Sequence, residues 1–354
     1  MDYVDEKRAK FVKFTDLDLC ETEEKLVRQM ISRFNNTKIF YLKIDRGLSK
    51  EKKIVIKPAS LFPYLIKIGN KEEILKEHEG YQLVHLRIPP SNIPFLEDFK
   101  TIDDRAALMY RYITGGLVSD PVNRLDNYLG TVQSDVAIPT LKEILDVTMK
   151  KCHWLGGNFE MLPINLPELE NPQEGVDVSI WKKLTNLYNQ VKEKVKKIKA
   201  PHGIVHGDLH PKNILITRNN TPVLIDFSFV KSNFCIYIDY AKLEVYLQFQ
   251  LNSQVTGEFL RVNERVYSNE PLILPRSNKA VASYIHAIRS TLWKNCLSKY
   301  VRLKNEEIDF GYRAYLLYCL IRLWSKVGNS SSSREIALKE IKSLIYEQAV
   351  EILL

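Results

Sequence analysis

Between Lys38 and Tyr112 the apolar residues come in short runs and alternations: "KIFYLKI", "KKIVIK", "LFPYLIKI", then "PFLEDF" and "RAALMYRYI". Runs of this length, rich in Ile, Val, Tyr and Phe, predict β-strands. One charged stretch, Lys71 to Val84, interrupts them and reads as a helix. Ahead of the first strand, Leu26, Val27, Met30, Ile31 and Phe34 make the apolar stripe of a helix from about Glu21 to Phe34. Beyond about Val122 the texture turns helical: Val176, Ile180, Leu184, Leu187, Val191, Val195 and Ile198 fall three and four apart on one face. The loop "PINLPELENPQEG" and a short β-like patch near residues 203–226 break this pattern. "GNSSSSR" (328–334) reads as a connection whose serines cap a final helix. The expected plan is α+β and two-lobed, with a small antiparallel-sheet lobe and its preceding helix over residues 1–112 and a larger, mainly helical lobe over 113–354.

Composition narrows the classes. Apolar residues at 45% and charged residues at 27% are ordinary for a globular chain of 354 residues. The five cysteines (Cys20, Cys152, Cys235, Cys296, Cys319) are scattered and never form CxxC, which points to a reducing compartment and away from structural zinc. The first thirty residues lack an apolar run, and no stretch approaches the roughly 20 apolar residues of a membrane helix. A cytoplasmic, soluble protein is expected. The net charge of +8 would suit an anionic partner, but the densest basic run, "KEKVKKIKA", lies on the polar face of the helix just described. Nucleic-acid binding is therefore unsupported.

The chemistry concentrates in "HGIVHGDLHPKNILITRNNTPVLIDFSFV" (202–230). "ILI" reads as a short strand, "RNNTP" as a turn and "VLIDF" as a second strand ending in an acid, so polar residues sit at strand ends where they can converge. His206, Asp208 and His210 form HxDxH, which in an extended segment could ligate iron or zinc. A two-histidine, one-carboxylate centre also wants a remote histidine and a β-rich barrel, and His286 is the only later histidine. Taken singly, either histidine could simply brace a tight turn. Phosphoryl transfer accounts for more residues: His206, Asp208 and Asn213 match H-x-D-x-x-x-x-N, and Asp226 with Phe227 stands where a second metal-holding acid belongs. A chance match of four fixed identities is on the order of one in a million per start position. On this reading His206 and Asp208 are the catalytic candidates, Asp208 aiming a hydroxyl, while Asn213 and Asp226 offer Mg²⁺ the hard oxygen ligands it prefers.

The stretch "HGDLHPKNILI…VLIDF" resembles the Brenner-type motif of the aminoglycoside phosphotransferase and choline kinase group, within the protein-kinase-like fold. Gly207 and His210 favour that group over eukaryotic-type protein kinases. The chain is also similar to kinase-like domains attached to bacterial conflict and signalling NTPases. The resemblance implies ATP and Mg²⁺ as cofactors and a hydroxyl-bearing acceptor as partner. It also implies a lysine for the α and β phosphates, for which Lys67 in "YLIKI" is the candidate, and a helical glutamate to orient it, for which Glu77 is preferred over Glu73 and Glu79. A solvent-facing lysine on an edge strand is the plain alternative for Lys67.

The phosphate-covering turn departs from the pattern. In place of several glycines, whose missing Cβ lets backbone amides approach phosphate, the chain has "RGLSKEK", where Gly47 and Ser49 are the candidates. An adenine-binding hinge is expected in "ALMYRYITGG", at Met109, Tyr110 and Tyr112, with Ile225 or Leu215 as floor. Asp239 in "IDYAKLE" resembles the acid that bonds back to the catalytic loop, and an N-cap role is compatible with that. A helix starts within about a dozen residues of Asp226, leaving no room for a substrate-docking activation segment, which favours small-molecule acceptors. Acceptor specificity is expected after Val255; Glu258, Glu264 and Asp309 are dispersed, which speaks against a polycationic antibiotic. A nucleotide-sensing pseudokinase, motivated by "RGLSKEK" and by DFS in place of DFG, and an atypical protein kinase are the rival functions.

Overall fold

The computed structural model describes residues 18–34, 37–41, 51–58, 62–113, 122–132, 134–149, 160–172, 174–248, 279–297 and 304–326. They group into two compact units: Met1–Tyr128 with Lys212–Val230, and Leu129–Pro211 with Lys231–Leu354. This differs from a single cut at 112/113, because Leu215 and Ile216 pair with Arg124 and Asn123.

In the first unit, β1 (Thr37–Tyr41), β2 (Lys52–Pro58), β3 (Tyr64–Asn70), β4 (Leu96–Ile102) and β5 (Arg105–Arg111) form an antiparallel sheet in the order β1-β2-β3-β5-β4. Helix α1 (Glu21–Ile31) opens with a capping arrangement in which the Glu23 carboxylate accepts the Cys20 N–H at 3.0 Å. Its Leu26, Val27 and Met30 pack with Ile54, Ile56, Tyr64, Ile66, Ile68, Ala107 and Met109. Alternation puts those strand residues on one face of the sheet, and each fully buried isoleucine contributes about 2 kcal/mol by transfer from water. The other face carries Lys53, Val55, Leu65, Lys67 and Tyr110, and there α2 (Lys71–Val84) supplies Glu77. Asn70 caps α2 by accepting the Glu72 N–H at 2.9 Å, so the helix begins directly from β3. A second sheet, in the order β10-β9-β6, joins β6 (Asn123–Arg124) to β9 (Ile214–Ile216) and β10 (Pro222–Leu224).

The second unit is mainly helical, yet it contains a three-stranded antiparallel sheet in the order β11-β8-β7, from β7 (Glu160–Pro163), β8 (Lys199–Val205) and β11 (Lys231–Cys235). Its principal helices are α5 (Val178–Val195), α6 (Tyr237–Leu247), α7 (Lys279–Leu292) and α8 (Asn305–Lys326); α3 (Leu125–Thr131) spans the boundary between the units and α4 (Ser134–Glu143) follows it. Helix α5 is narrower than the expected 176–198, because Asp177 caps it by accepting the Ser179 and Ile180 N–H groups at 2.8 and 3.0 Å. Leu184, Val191 and Val195 are buried as the period predicts, while Lys182, Lys183 and Lys194 are exposed. Helix α6 is buried almost along its whole length, and Glu244 within it accepts two bonds from Arg289 of α7, at 3.0 and 2.7 Å, and one from the Tyr312 hydroxyl of α8, at 2.8 Å. A paired and fully bonded charge of this kind fixes the helix in one rotation about its axis. Among the described residues no helix is long and apolar enough to cross a membrane.

Candidate active site

In the first unit the site grows from one lysine. Lys67 is central in β3, 4% exposed, and an ammonium so buried requires opposite charge. It receives three carboxylates: it donates a short hydrogen bond to Glu77 Oε2, lies 3.1 Å from Glu51 Oε2 and 3.9 Å from Asp226 Oδ1. The Tyr110 hydroxyl donates to the second Glu77 oxygen at 3.2 Å. Residues ten and 159 positions from Lys67 in sequence thus meet on it, and the edge-strand alternative does not hold, since β3 lies between β2 and β5. Burial lowers the affinity of Lys67 for its proton, but Asp226, Glu77 and Glu51 together outweigh it and hold the proton more firmly than in water. For Glu77 burial is also the largest influence; it raises the carboxyl, Lys67 opposes, Asp226 and Glu51 reinforce, and the result is a carboxyl pushed up to about 7.

Asp226 stands just past β10, not at the end of a strand. Its φ of 66° is left-handed, a backbone a strand cannot continue and a non-glycine residue adopts at a cost of roughly 1 kcal/mol or more. The twist is held on both sides: the Ile225 N–H donates to the Asn213 carbonyl at 3.0 Å, and the Val230 N–H donates to the Phe227 carbonyl at 3.2 Å. The first of these bonds also sets Asn213 beside the strand end that leads to Asp226. Ser228, the serine of DFS in place of DFG, donates its hydroxyl to Asp226 Oδ1 at 3.0 Å. Gly80 on α2 permits the close approach of this segment, since a Cβ there would overlap the Phe227 carbonyl oxygen. Asn213 is 6% exposed. Asn213 and Asp226 are oxygen donors, suited to a hard divalent cation such as Mg²⁺, which takes few protein ligands and completes its shell with phosphate and water. Among the described residues no cluster of three or more His, Cys, Asp or Glu is arranged to hold a metal alone.

The residues expected to form a hinge lie in β5 and directly after it. Met109 and Tyr110 lie inside β5, paired to β3 on one side and β4 on the other, so their backbone groups serve the sheet. Met109 is in the core under α1 and the Tyr110 side chain serves Glu77. The Tyr112 N–H donates to the Pro63 carbonyl at 2.8 Å. Gly47 and Ser49 lie outside the described residues, as does the acceptor region expected after Val255 up to residue 278.

The second unit holds the loop that carries His206, Asp208 and His210. His206 follows β8 and is 2% exposed; its N–H and that of Gly207 both donate to the Asp239 carboxylate, each at 2.8 Å. Gly207 has a φ of 73°, which suits glycine and turns the loop just ahead of Asp208. Asp208 pairs closely with Lys242 and lies 3.5 Å from His210 Nε2. Burial raises its carboxyl, but Lys242 and His210 outweigh it and hold the group well below the usual carboxylate range. Lys242 is 5% exposed and also donates to the Gly207 carbonyl at 3.3 Å. His210 stacks on Tyr246, with centroids 5.3 Å apart. This arrangement does not suit HxDxH ligation, because the Asp208 carboxylate already faces an ammonium.

Sequence reasoning missed Glu51, Lys53, Gly80 and Lys242. Lys242 carried a legible signal: it is the lysine three residues after Asp239, in a helix otherwise apolar enough to be buried, so both point to the same loop. Glu51 and Lys53 were masked by their place at the end of a charged run.

A family profile described as Ternary complex associated domain 9 matches residues 160–299. A comparison with curated proteins gives no significant match. Among solved structures, the chain is similar to aminoglycoside phosphotransferase APH(4)-Ia, with a TM-score of 0.53 and 10% identity over 92% of this chain and 96% of that one. Spectinomycin phosphotransferase APH(9)-Ia, solved with ADP and spectinomycin, gives 0.50 and 12% identity over 93% and 98%. LicA in complex with AMP gives 0.51 and 12% identity, also over 93% and 98%. The chain therefore has the protein-kinase-like fold seen in these phosphotransferases.

Proposed function

We propose that the protein is a phosphotransferase that moves the γ-phosphate of ATP, with Mg²⁺, to a hydroxyl of a small-molecule acceptor. The observation that carries this reading is the meeting of Lys67, Glu77 and Asp226 in one buried cluster. The sequence offers Lys67 for the phosphates, Glu77 to orient that lysine and Asp226 for the metal. Lys67, oriented by Glu77, neutralises phosphate oxygens. Asn213 and Asp226 would hold Mg²⁺, which when bound supplies charge neutralisation at the phosphates. Asp208, kept ionised by Lys242, accepts a hydrogen bond from the acceptor hydroxyl, aims it, and takes its proton late, since a loose transition state asks little of a base. The H-x-D-x-x-x-x-N spacing assigns Asp208 and Asn213 to the same reaction. Nucleotide binding by the ADP-bound and AMP-bound proteins of the same fold agrees with the donor.

A small acceptor is supported by the path after Asp226. The chain passes directly into β11, which pairs with β8, and then into α6 at Tyr237, with no segment left over to dock a protein substrate. The test is incubation of the purified protein with labelled ATP and Mg²⁺, with and without small-molecule cell extract, beside Asp208→Ala and Asp226→Ala. Transfer to a small molecule that both variants lose is the expected result. ATP binding without turnover would make the protein a nucleotide sensor, and label arriving on protein would make it a protein kinase.

A further inference from the structure

The first unit has a second lysine on the nucleotide side of its sheet. Lys53 of β2 is directly opposite Lys67 of β3 in the antiparallel register. Residues so paired project from the same face, with Cβ atoms about 5 Å apart. Neighbouring positions agree: Ile54 and Ile66, one step along each strand, point to the core under α1. Lys53 is half-buried and within electrostatic range of Lys67, Glu51, Asp226 and Glu77. Its ammonium differs from its neighbours in one respect. Lys52 pairs with Glu23, and Lys67 has three carboxylates, but among the described residues Lys53 makes no hydrogen bond or ion pair.

A lysine carries three N–H donors. Those of Lys67 already face three carboxylates; those of Lys53 are uncommitted, on the same face, at the start of the strand that follows "RGLSKEK". That turn is where the sequence lacks the glycines that would bring backbone amides to phosphate. Burial is the main influence weakening the hold of Lys53 on its proton, with repulsion from Lys67 adding to it, so the charge is kept in place at a cost to the folded protein.

We propose that Lys53 is a second phosphate-binding lysine, which joins Lys67 on the triphosphate of a nucleoside triphosphate and takes the place of glycine-loop amides. The proposal rests on the reading of this unit as the ATP-binding half. Lys53 discriminates by phosphate number, gripping a triphosphate and adding little to a monophosphate.

The test uses the full-length protein, Lys53→Met and Lys53→Arg, with calorimetric titration of ATP and AMP in Mg²⁺ and thermal melting without nucleotide. A charge-assisted hydrogen bond corresponds to a loss of about tenfold or more in affinity. Lys53→Met is expected to lose that much for ATP, to keep AMP affinity within about threefold, and to melt no lower than the unmodified protein, because an uncompensated charge has been removed. Lys53→Arg is expected to keep most of the ATP affinity. Unchanged ATP affinity in Lys53→Met, or an equal loss for ATP and AMP, overturns the proposal and leaves the ATP-dependent reading standing. Failure of the unmodified protein to bind ATP overturns both.

Discussion

Lys242→Met is the most informative single substitution in the second unit. It removes the ammonium that faces Asp208 and leaves a carboxylate whose side chain is 21% exposed, beside a His210 nitrogen 3.5 Å away. Breaking a buried pair from one side costs about 3–5 kcal/mol; residual hydration of Asp208 and its histidine neighbour place this case near the lower end, at about 3 kcal/mol. The pH dependence follows from the direction of the shift. In the unmodified protein the folded Asp208 carboxyl lies below its unfolded value, so its contribution to stability is complete above about pH 4 and is lost only as pH falls through the folded value. In the variant, burial is opposed by His210 alone and the carboxyl rises from its place in the unmodified protein. The folded variant then takes up a proton at a higher pH than the unmodified protein does, and the deficit shrinks as pH falls. Urea unfolding at pH 4, 5.5, 7 and 8 of the unmodified protein, Lys242→Met, Asp208→Asn and the double variant measures this. The expected outcome is a deficit of about 3 kcal/mol at pH 7 that is measurably smaller at pH 4, with the double variant within about 1 kcal/mol of the unmodified protein. A deficit under about 1 kcal/mol, one equal at pH 4 and pH 8, or strictly additive single effects would refute the pairing.

Glu77, with a folded carboxyl raised to about 7 against 4.5 in the unfolded chain, binds a proton in the folded state between those values. Stability is therefore expected to fall as pH rises from 5 to 8, by up to about 3 kcal/mol, and Glu77→Gln should flatten that slope in urea titrations at stepped pH. Gly80→Ala sets a methyl group against the Phe227 carbonyl and the Val230 side chain; a loss of about 2 kcal/mol or more is expected by thermal or urea melting, with weakened ATP binding because Glu77 shares that helix. Asp239→Asn replaces one acceptor of the His206 and Gly207 N–H groups with an amide donor; a loss of about 1–3 kcal/mol is expected, together with faster hydrogen exchange at those two amides.

The elements carried by strong periodicity were legible in the sequence. The β3 strand, α2 and the apolar stripe of α1 lie where alternation and three-four spacing put them, because each buries one face against a single partner layer. Asp208, Asn213 and Asp226 stood out by residue type and spacing, and Lys67, Glu77 and Asp239 by the resemblance those residues carry; the geometry brings Glu77 and Asp226 onto the Lys67 ammonium. The sheet of β7, β8 and β11 was not legible, since β7 and β11 are short, β8 carries a proline in its interior, and the strands are held by each other, not by an alternation visible in any one. Of the expected hinge residues Met109, Tyr110 and Tyr112, the first two lie inside the sheet, and an apolar run does not reveal which of its residues are flanked by strands on both sides. Lys53 and Lys242 escaped notice because a lysine declares its role only through what stands opposite it, across a sheet or beside a helix.

The return of residues 212–230 to the first unit bears on the order in which this protein can be made. A ribosome releases the chain from its amino end, so β6 waits for β9 while more than eighty residues of the other unit emerge between them. Until residue 226 appears, Lys67 has only Glu51 and Glu77 for company. The unit proposed to bind nucleotide is thus the first begun and not the first finished, and a nascent chain stalled within 129–211 would leave β6 without the strand it pairs with, open to whatever chaperone attends it.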